Sequence, residues 1–321
     1  KQQIYLKTNR LNEAINEGKK LVQAFPDDPR YALLLAEIYT ANKRTADAVP
    51  LLEKVAAGSE ASPQARLILS DIYRQQGKGS EADREVEKAF AEPSLDAAIK
   101  VQILVSYVQS QQSEPAKQKA LDFAAVIVKA HPNDAKANAI YGDLLALTGQ
   151  KEKARGVYGK AIRLDNSIYE VWSSLLRLDA EFGQADSLIK HSEQALELFP
   201  NQGEFWYFNG YAYLLKKNYQ KAVDALESGK KLALSDAKLL NEYNAMLGDA
   251  YNGNGEYERS DAAYEAVLAN DPDNAAVLNN YSYFLSLRKQ KLEKARQMSK
   301  RLVELHPDNA SYLDTHAWVL Y

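Results

Sequence analysis

Apolar and polar positions along the chain repeat with a helical spacing inside a longer period. One large, mostly aromatic position recurs at Tyr5, Tyr39, Tyr73, Tyr107, Leu145, Asp179, Tyr213, Tyr251, Leu285 and Leu320. Six of the nine intervals are 34 residues, and the two longest are 38, an excess of about one helical turn. Three residues before this column lies a small one, with Ala36, Ser70, Gly142, Gly210, Gly248, Ser282 and Ala317, broken by Leu104 and Leu176. Nine residues after it comes a second small column, Ala14, Ala48, Ala82, Ala154, Ala222 and Ser260. It becomes Leu188 once and slips to Ala120 and Ala295 where extra residues enter. Pro26, Pro132, Pro200, Pro272 and Pro307 close many of the units.

Each unit therefore predicts two helices. Between Gly203 and Leu234, Trp206, Gly210 and Tyr213 share one face of a first helix at spacings of four and three. Lys216 to Tyr219 breaks the pattern, and Ala222, Leu226 and Gly229 form the stripe of a second helix. Small residues let the two backbones approach, and proline stops each hairpin because it cannot continue a helix.

This phased set, Trp206, Asn209, Gly210, Tyr213, Ala222, Leu226 and Gly229, resembles the tetratricopeptide repeat, a helix–turn–helix unit of about 34 residues. The resemblance covers essentially the whole chain and is weakest over Leu95–Ala130, where a lengthened loop is expected at Gln109–Pro115. It implies an all-α fold, a right-handed superhelical α-solenoid formed by a single array over residues 1–321. About eight repeats are complete, with a partial one at each end. The unfinished ends, Lys1–Lys7 and the stretch closing on Trp318, Leu320 and Tyr321, suggest a fragment of a longer protein. The last repeats are similar to those of bacterial tetratricopeptide proteins, many of them lipoproteins or envelope-associated. Cytoplasm, periplasm and envelope all stay open.

Composition narrows the function. The net charge is −3 and the pI about 5.9, without the basic footprint expected of a nucleic-acid or anionic-lipid surface. Cysteine is absent, which removes disulfides and thiolate chemistry. No apolar run approaches the roughly 18 residues of a membrane span. His131 and His306 stand before Pro132 and Pro307, where a helix ends and its last carbonyls are the expected partners. No second histidine lies at helical spacing from any of the four, so no metal-ligand set is expected. Gly77–Lys78–Gly79 and Gly253–Asn254–Gly255 lack the preceding strand of a phosphate loop and read as turns. Asn280–Tyr281–Ser282 and Asn309–Ala310–Ser311 match the glycan acceptor pattern without supporting context. No catalytic residues, cofactor or metal are expected, and the chain reads as a non-enzyme.

In the tetratricopeptide family the first helices line the ligand groove. The face opposite the core stripe falls two and six residues before the tyrosine column and one after it. Toward the N-terminus these positions are aliphatic with isolated acids. From Ser173 onward they give Arg177, Tyr207, Tyr211, Asp249, Asn279, Tyr283, Asp314 and Trp318, with Glu170, Glu204 and Glu242 at the entry to three helices. Tyrosine and tryptophan beside carboxylates suit a basic or neutral segment of another protein. The same pattern also fits tyrosines that only pack against neighbouring first helices. Chaperone-binding members hold a terminal carboxylate with lysine, asparagine and arginine. Leu33, Glu37, Leu67 and Asp71 stand at those positions here, so that activity is not implied. Self-association through Trp318, and a regulatory part of a larger protein, are the other partner classes.

Overall fold

A computed structural model describes residues 2–58, 62–111 and 113–321, without the side chains of residues 2, 3 and 6. The described residues form helices and no strands. They gather into two compact units, Lys1–Leu164 and Asp165–Tyr321. The first holds α1 (Gln2–Lys7), α2 (Leu11–Ala24), α3 (Pro29–Ala41), α4 (Thr45–Ala57), α5 (Pro63–Gln75), α6 (Gly79–Ala91), α7 (Ala97–Ser110), α8 (Glu114–Ala130), α9 (Ala135–Leu147) and α10 (Lys151–Leu164). The second holds α11 (Tyr169–Glu181), α12 (Ala185–Leu198), α13 (Gly203–Leu215), α14 (Tyr219–Lys230), α15 (Ala237–Gly253), α16 (Tyr257–Asn270), α17 (Ala275–Leu287), α18 (Leu292–Leu305) and α19 (Ala310–Leu320). Odd-numbered helices are the first helices of hairpins.

In three hairpins the small column of the first helix meets a large residue of the second, thirteen positions after the tyrosine column. A Cβ built on Gly210 would stand 2.5 Å from Leu226 Cγ, and one on Gly142 would stand 2.6 Å from the Tyr158 ring. Gly248 faces Tyr264 in the same way. Each pair is sixteen residues apart, so one geometry recurs. Ala14, Ala48, Ala82, Ala120, Ala154, Ala222 and Ala295 are all fully buried. Where the tyrosine column carries Asp179, the carboxylate is fully buried and its Oδ2 lies 2.6 Å from His191 Nδ1 on α12.

The turn inside every hairpin except α7–α8 has a signal of its own, four residues after the tyrosine column. Gly77, Gly149, Gly183 and Gly255 have positive φ there, and so do Asn9, Lys43, Lys217 and Lys289. The next amide then bonds back to the column carbonyl, as Lys78 N–H does to Tyr73 O at 2.8 Å and Asn218 N–H to Tyr213 O at 2.9 Å. This left-handed helix stop satisfies carbonyls that the helix end would orphan. Between hairpins four of the five closing prolines sit two residues before an Asp or Asn cap, and Pro200 stands before Gln202, whose side chain makes no cap bond. Asp28 accepts from Arg30 N–H, Asp134 from Ala137 N–H, Asn274 from Val277 N–H and Asn309 from Ser311 N–H.

The lengthened loop expected at Gln109–Pro115 is a correction. Gln109 and Ser110 belong to α7 and Glu114 and Pro115 to α8, while residue 112 lies outside the described residues. The extra residues become a further turn of helix instead, making α8 17 residues long. Proline in a first turn costs no hydrogen bond, and Ser113 Oγ accepts from Ala116 N–H, so the helix starts early. The second 38-residue interval is absorbed likewise in α15, also 17 residues.

A cleft across four first helices

Within the second unit α11, α13, α15, α17 and α19 pack in succession as first helices. A cleft of about 690 Å³ opens across α13, α15, α17 and α19. Tyr207 and Tyr211, one turn apart on α13, form one wall together with Tyr219 from the start of α14. Met246, Asp249 and Asn252 of α15 lie between the walls. Asn279, Asn280 and Tyr283 of α17 face them, with Asp314 of α19 at the edge. The fold thus brings six of the eight candidate residues to one place.

The other two lie apart from the lining. Trp318 is half-exposed, and its ring centroid is 6.3 Å from that of Tyr283. Arg177 is engaged elsewhere: its Nε and Nη2 donate to Glu204 Oε1 at 3.0 and 2.7 Å. Glu204 Oε2 accepts from Tyr169 Oη at 2.7 Å and Ser173 Oγ at 2.9 Å. Burial pushes the Glu204 carboxyl up, but the bonds from Tyr169, Arg177 and Ser173 outweigh it and hold the group below its ordinary value. Glu204 and Arg177 therefore tie α11 to α13.

Tyr207 and Tyr211 are both half-buried. Tyr207 stands edge-on to the buried Tyr243, with centroids 5.7 Å apart and planes at 88°, and burial pushes its hydroxyl pKa up. Asp249 is enclosed more tightly. Its Oδ1 accepts from Tyr264 Oη at 2.5 Å and from Asn280 Nδ2 at 3.0 Å. Asn280 Oδ1 in turn accepts from Asn279 Nδ2 at 3.0 Å. Burial raises the Asp249 carboxyl pKa, against the lowering effect of its two donors. The amide oxygens of Asn252 and Asn279 are buried without a hydrogen-bond partner.

Asn252, Asn280 and Tyr219 are cleft residues that the sequence reading did not select. Asn252 occupies the position one after the tyrosine column, a face already assigned to the groove, so its signal was present. Asn280 lies five before Leu285, off that face, yet it lines the cleft and bonds to Asp249.

The histidines form no cluster. His131 Nε2 lies 2.7 Å from Lys100 Nζ and 3.0 Å from Leu95 O. It was expected at the last carbonyls of its own helix. The buried Lys100 ammonium draws it across to α7 because it needs acceptors there, and it also donates to Glu92 O at 2.7 Å. His306 packs edge-on to Tyr312 instead. Among the described residues no three histidine, aspartate or glutamate side chains group as metal ligands. No described helix is long and apolar enough to cross a membrane.

The family model described as tetratricopeptide repeat matches residues 3–64, 189–233 and 245–310, just over half of the sequence. The chain belongs to the tetratricopeptide repeat family. A tetratricopeptide repeat-containing protein of Pseudomonas aeruginosa is 31% identical over 102 residues, 32% of this chain and 17% of that protein. A human protein O-mannosyl-transferase is 24% identical over 168 residues, 52% of this chain and 19% of the transferase. The chain thus spans under a fifth of the length of these curated relatives. Among solved structures, PilF of Pseudomonas aeruginosa superimposes with a TM-score of 0.52 at 17% identity, over 69% of this chain and 96% of PilF. That likeness concerns the tetratricopeptide fold alone.

Proposed function

We propose that this tetratricopeptide chain is a non-catalytic scaffold, a single array of repeats that binds a segment of another protein in the cleft between Tyr207 and Asp314. The observation that carries the reading is the cleft lining. Four tyrosines, two carboxylates and three asparagines converge on it from α13, α14, α15, α17 and α19. Tyrosine supplies contact area at low entropic cost, and amide side chains suit a peptide backbone. Relative to unaltered protein, Tyr207→Ala/Tyr211→Ala should lose a partner recovered by affinity capture while still folding. Equal capture by both forms rejects the cleft.

Self-association is the second reading, favoured by α19. Leu313, Trp318 and Leu320 are 46%, 49% and 58% exposed on one short helix. Light scattering over a concentration series tests it, and a constant monomer mass rules it out.

A further inference from the structure

We infer that the cleft is built to take a cationic side chain, lysine or arginine, carried by the segment it binds. This rests on the reading of the cleft as a segment-binding site and adds the chemistry that would select the segment.

The direction of the hydrogen bonds supplies the argument. An ionised carboxylate can only accept, so Asp249 fixes which end of the Asn280 amide faces it. With Nδ2 of Asn280 spent on Asp249, its Oδ1 must accept, which fixes Asn279 as the next donor. Both amides thus direct an N–H along the path to Asp249, and two amide oxygens of the lining are left as unmatched acceptors. Asn279 Oδ1 and Asn252 Oδ1 are buried without partners. Both donors to Asp249 reach Oδ1, and Oδ2 accepts from no side chain among the described residues.

An unpartnered buried acceptor costs free energy, and so does a partly buried carboxylate without a positive neighbour. The cleft supplies no such neighbour, because none of its lining residues is lysine, arginine or histidine. Asp314 adds a second negative charge at the rim, and four tyrosine rings offer the faces that attract cations. A peptide N–H would satisfy the amide oxygens but leave the carboxylates unmatched. A side-chain ammonium or guanidinium answers both.

Random peptides of about a dozen residues, displayed on phage and selected on the full chain, test this. Selected peptides are then synthesised and titrated by calorimetry. The expected result is lysine or arginine enriched at one position. Replacing that residue by norleucine, which keeps the length and removes the charge, should weaken binding about tenfold or more. Asp249→Asn keeps an acceptor for Tyr264 and Asn280 and should weaken the charged peptide to a similar degree. Asp186→Asn, an exposed acid outside the cleft lining, should not. The norleucine arm leaves the protein intact, so a misfolded variant does not blur the result. Peptides that need Tyr207 and Tyr211 but bind equally well with norleucine overturn the inference and leave segment binding standing. If no peptide distinguishes the unaltered chain from Tyr207→Ala/Tyr211→Ala, the segment-binding reading falls, and this inference with it.

Discussion

Tyr264 donates its hydroxyl to Asp249 at 2.5 Å, and Tyr158 does the same to Asp143 at 2.7 Å. In both pairs the tyrosine lies fifteen residues after the aspartate, and in both a glycine precedes the aspartate. A Cβ at Gly142 or Gly248 would run into the tyrosine ring, so the glycine admits the ring and the ring delivers its hydroxyl to the next side chain. One hairpin register thus builds the same pair, an aspartate bonded to a buried tyrosine, in each unit.

These pairs set a pH dependence. Burial raises both carboxyls above the ordinary 3.8, outweighing the tyrosine bonds that lower them. Between that value and the raised ones, the folded chain holds protons that the unfolded chain releases. The stability these groups contribute is therefore complete below 3.8 and lost as pH rises through the folded values. Asp143→Asn and Asp249→Asn abolish the loss. Each should match or exceed the unaltered protein near neutral pH, with the advantage shrinking toward about pH 4. Urea melts at both pH values decide it, and a deficit larger at neutral pH than in acid contradicts the assignment.

The left-handed turn position gives a pair of opposite outcomes. Lys217 has φ +55° and Gly183, at the equivalent place, has φ +62°. A side chain there costs roughly 1–2 kcal/mol, partly offset by the greater freedom that glycine loses on folding. Lys217→Gly should stabilise by up to about 1 kcal/mol, whereas Gly183→Ala should destabilise by about 1 kcal/mol. Thermal melts that move in the same direction for both would refute the shared turn geometry.

The hairpin register was legible because it rests on residue size at fixed spacing. Gly210 opposite Leu226 and Ala222 beside them need no knowledge of neighbouring repeats. The turn column was also present in the sequence, but glycine, lysine and asparagine share only their backbone conformation there and look unrelated as side chains. The face of Tyr207, Tyr211, Asp249 and Tyr283 followed from helical period alone. What Arg177, Asn280 and His131 do did not, because their partners Glu204, Asp249 and Lys100 lie on other helices. Helical period says which way a residue faces and not which group meets it.

Gly210→Leu tests the close crossing of α13 and α14. Leu226 already occupies the space that a first added carbon would need. Overpacking there should force the helices apart and destabilise by roughly 2–4 kcal/mol. An unchanged melting midpoint would refute the register.

Binding and packing part company at Tyr207 and Tyr211. Both rings are half-buried against their own unit, Tyr207 edge-on to Tyr243, so removing them has some cost in stability. That cost should stay below the one for Gly210→Leu, because the cleft side of each ring has no packing to lose. Binding should suffer more: replacing both by alanine should cost roughly 2 kcal/mol or more in partner affinity, as truncation of aromatic anchors does. The measurement is titration of a partner, or of a selected peptide, into both forms, beside a thermal melt of each. Weakened binding with a nearly unchanged melt places the tyrosines in the interface. Unchanged binding with an early melt makes them core, and the cleft then has no ligand on this wall.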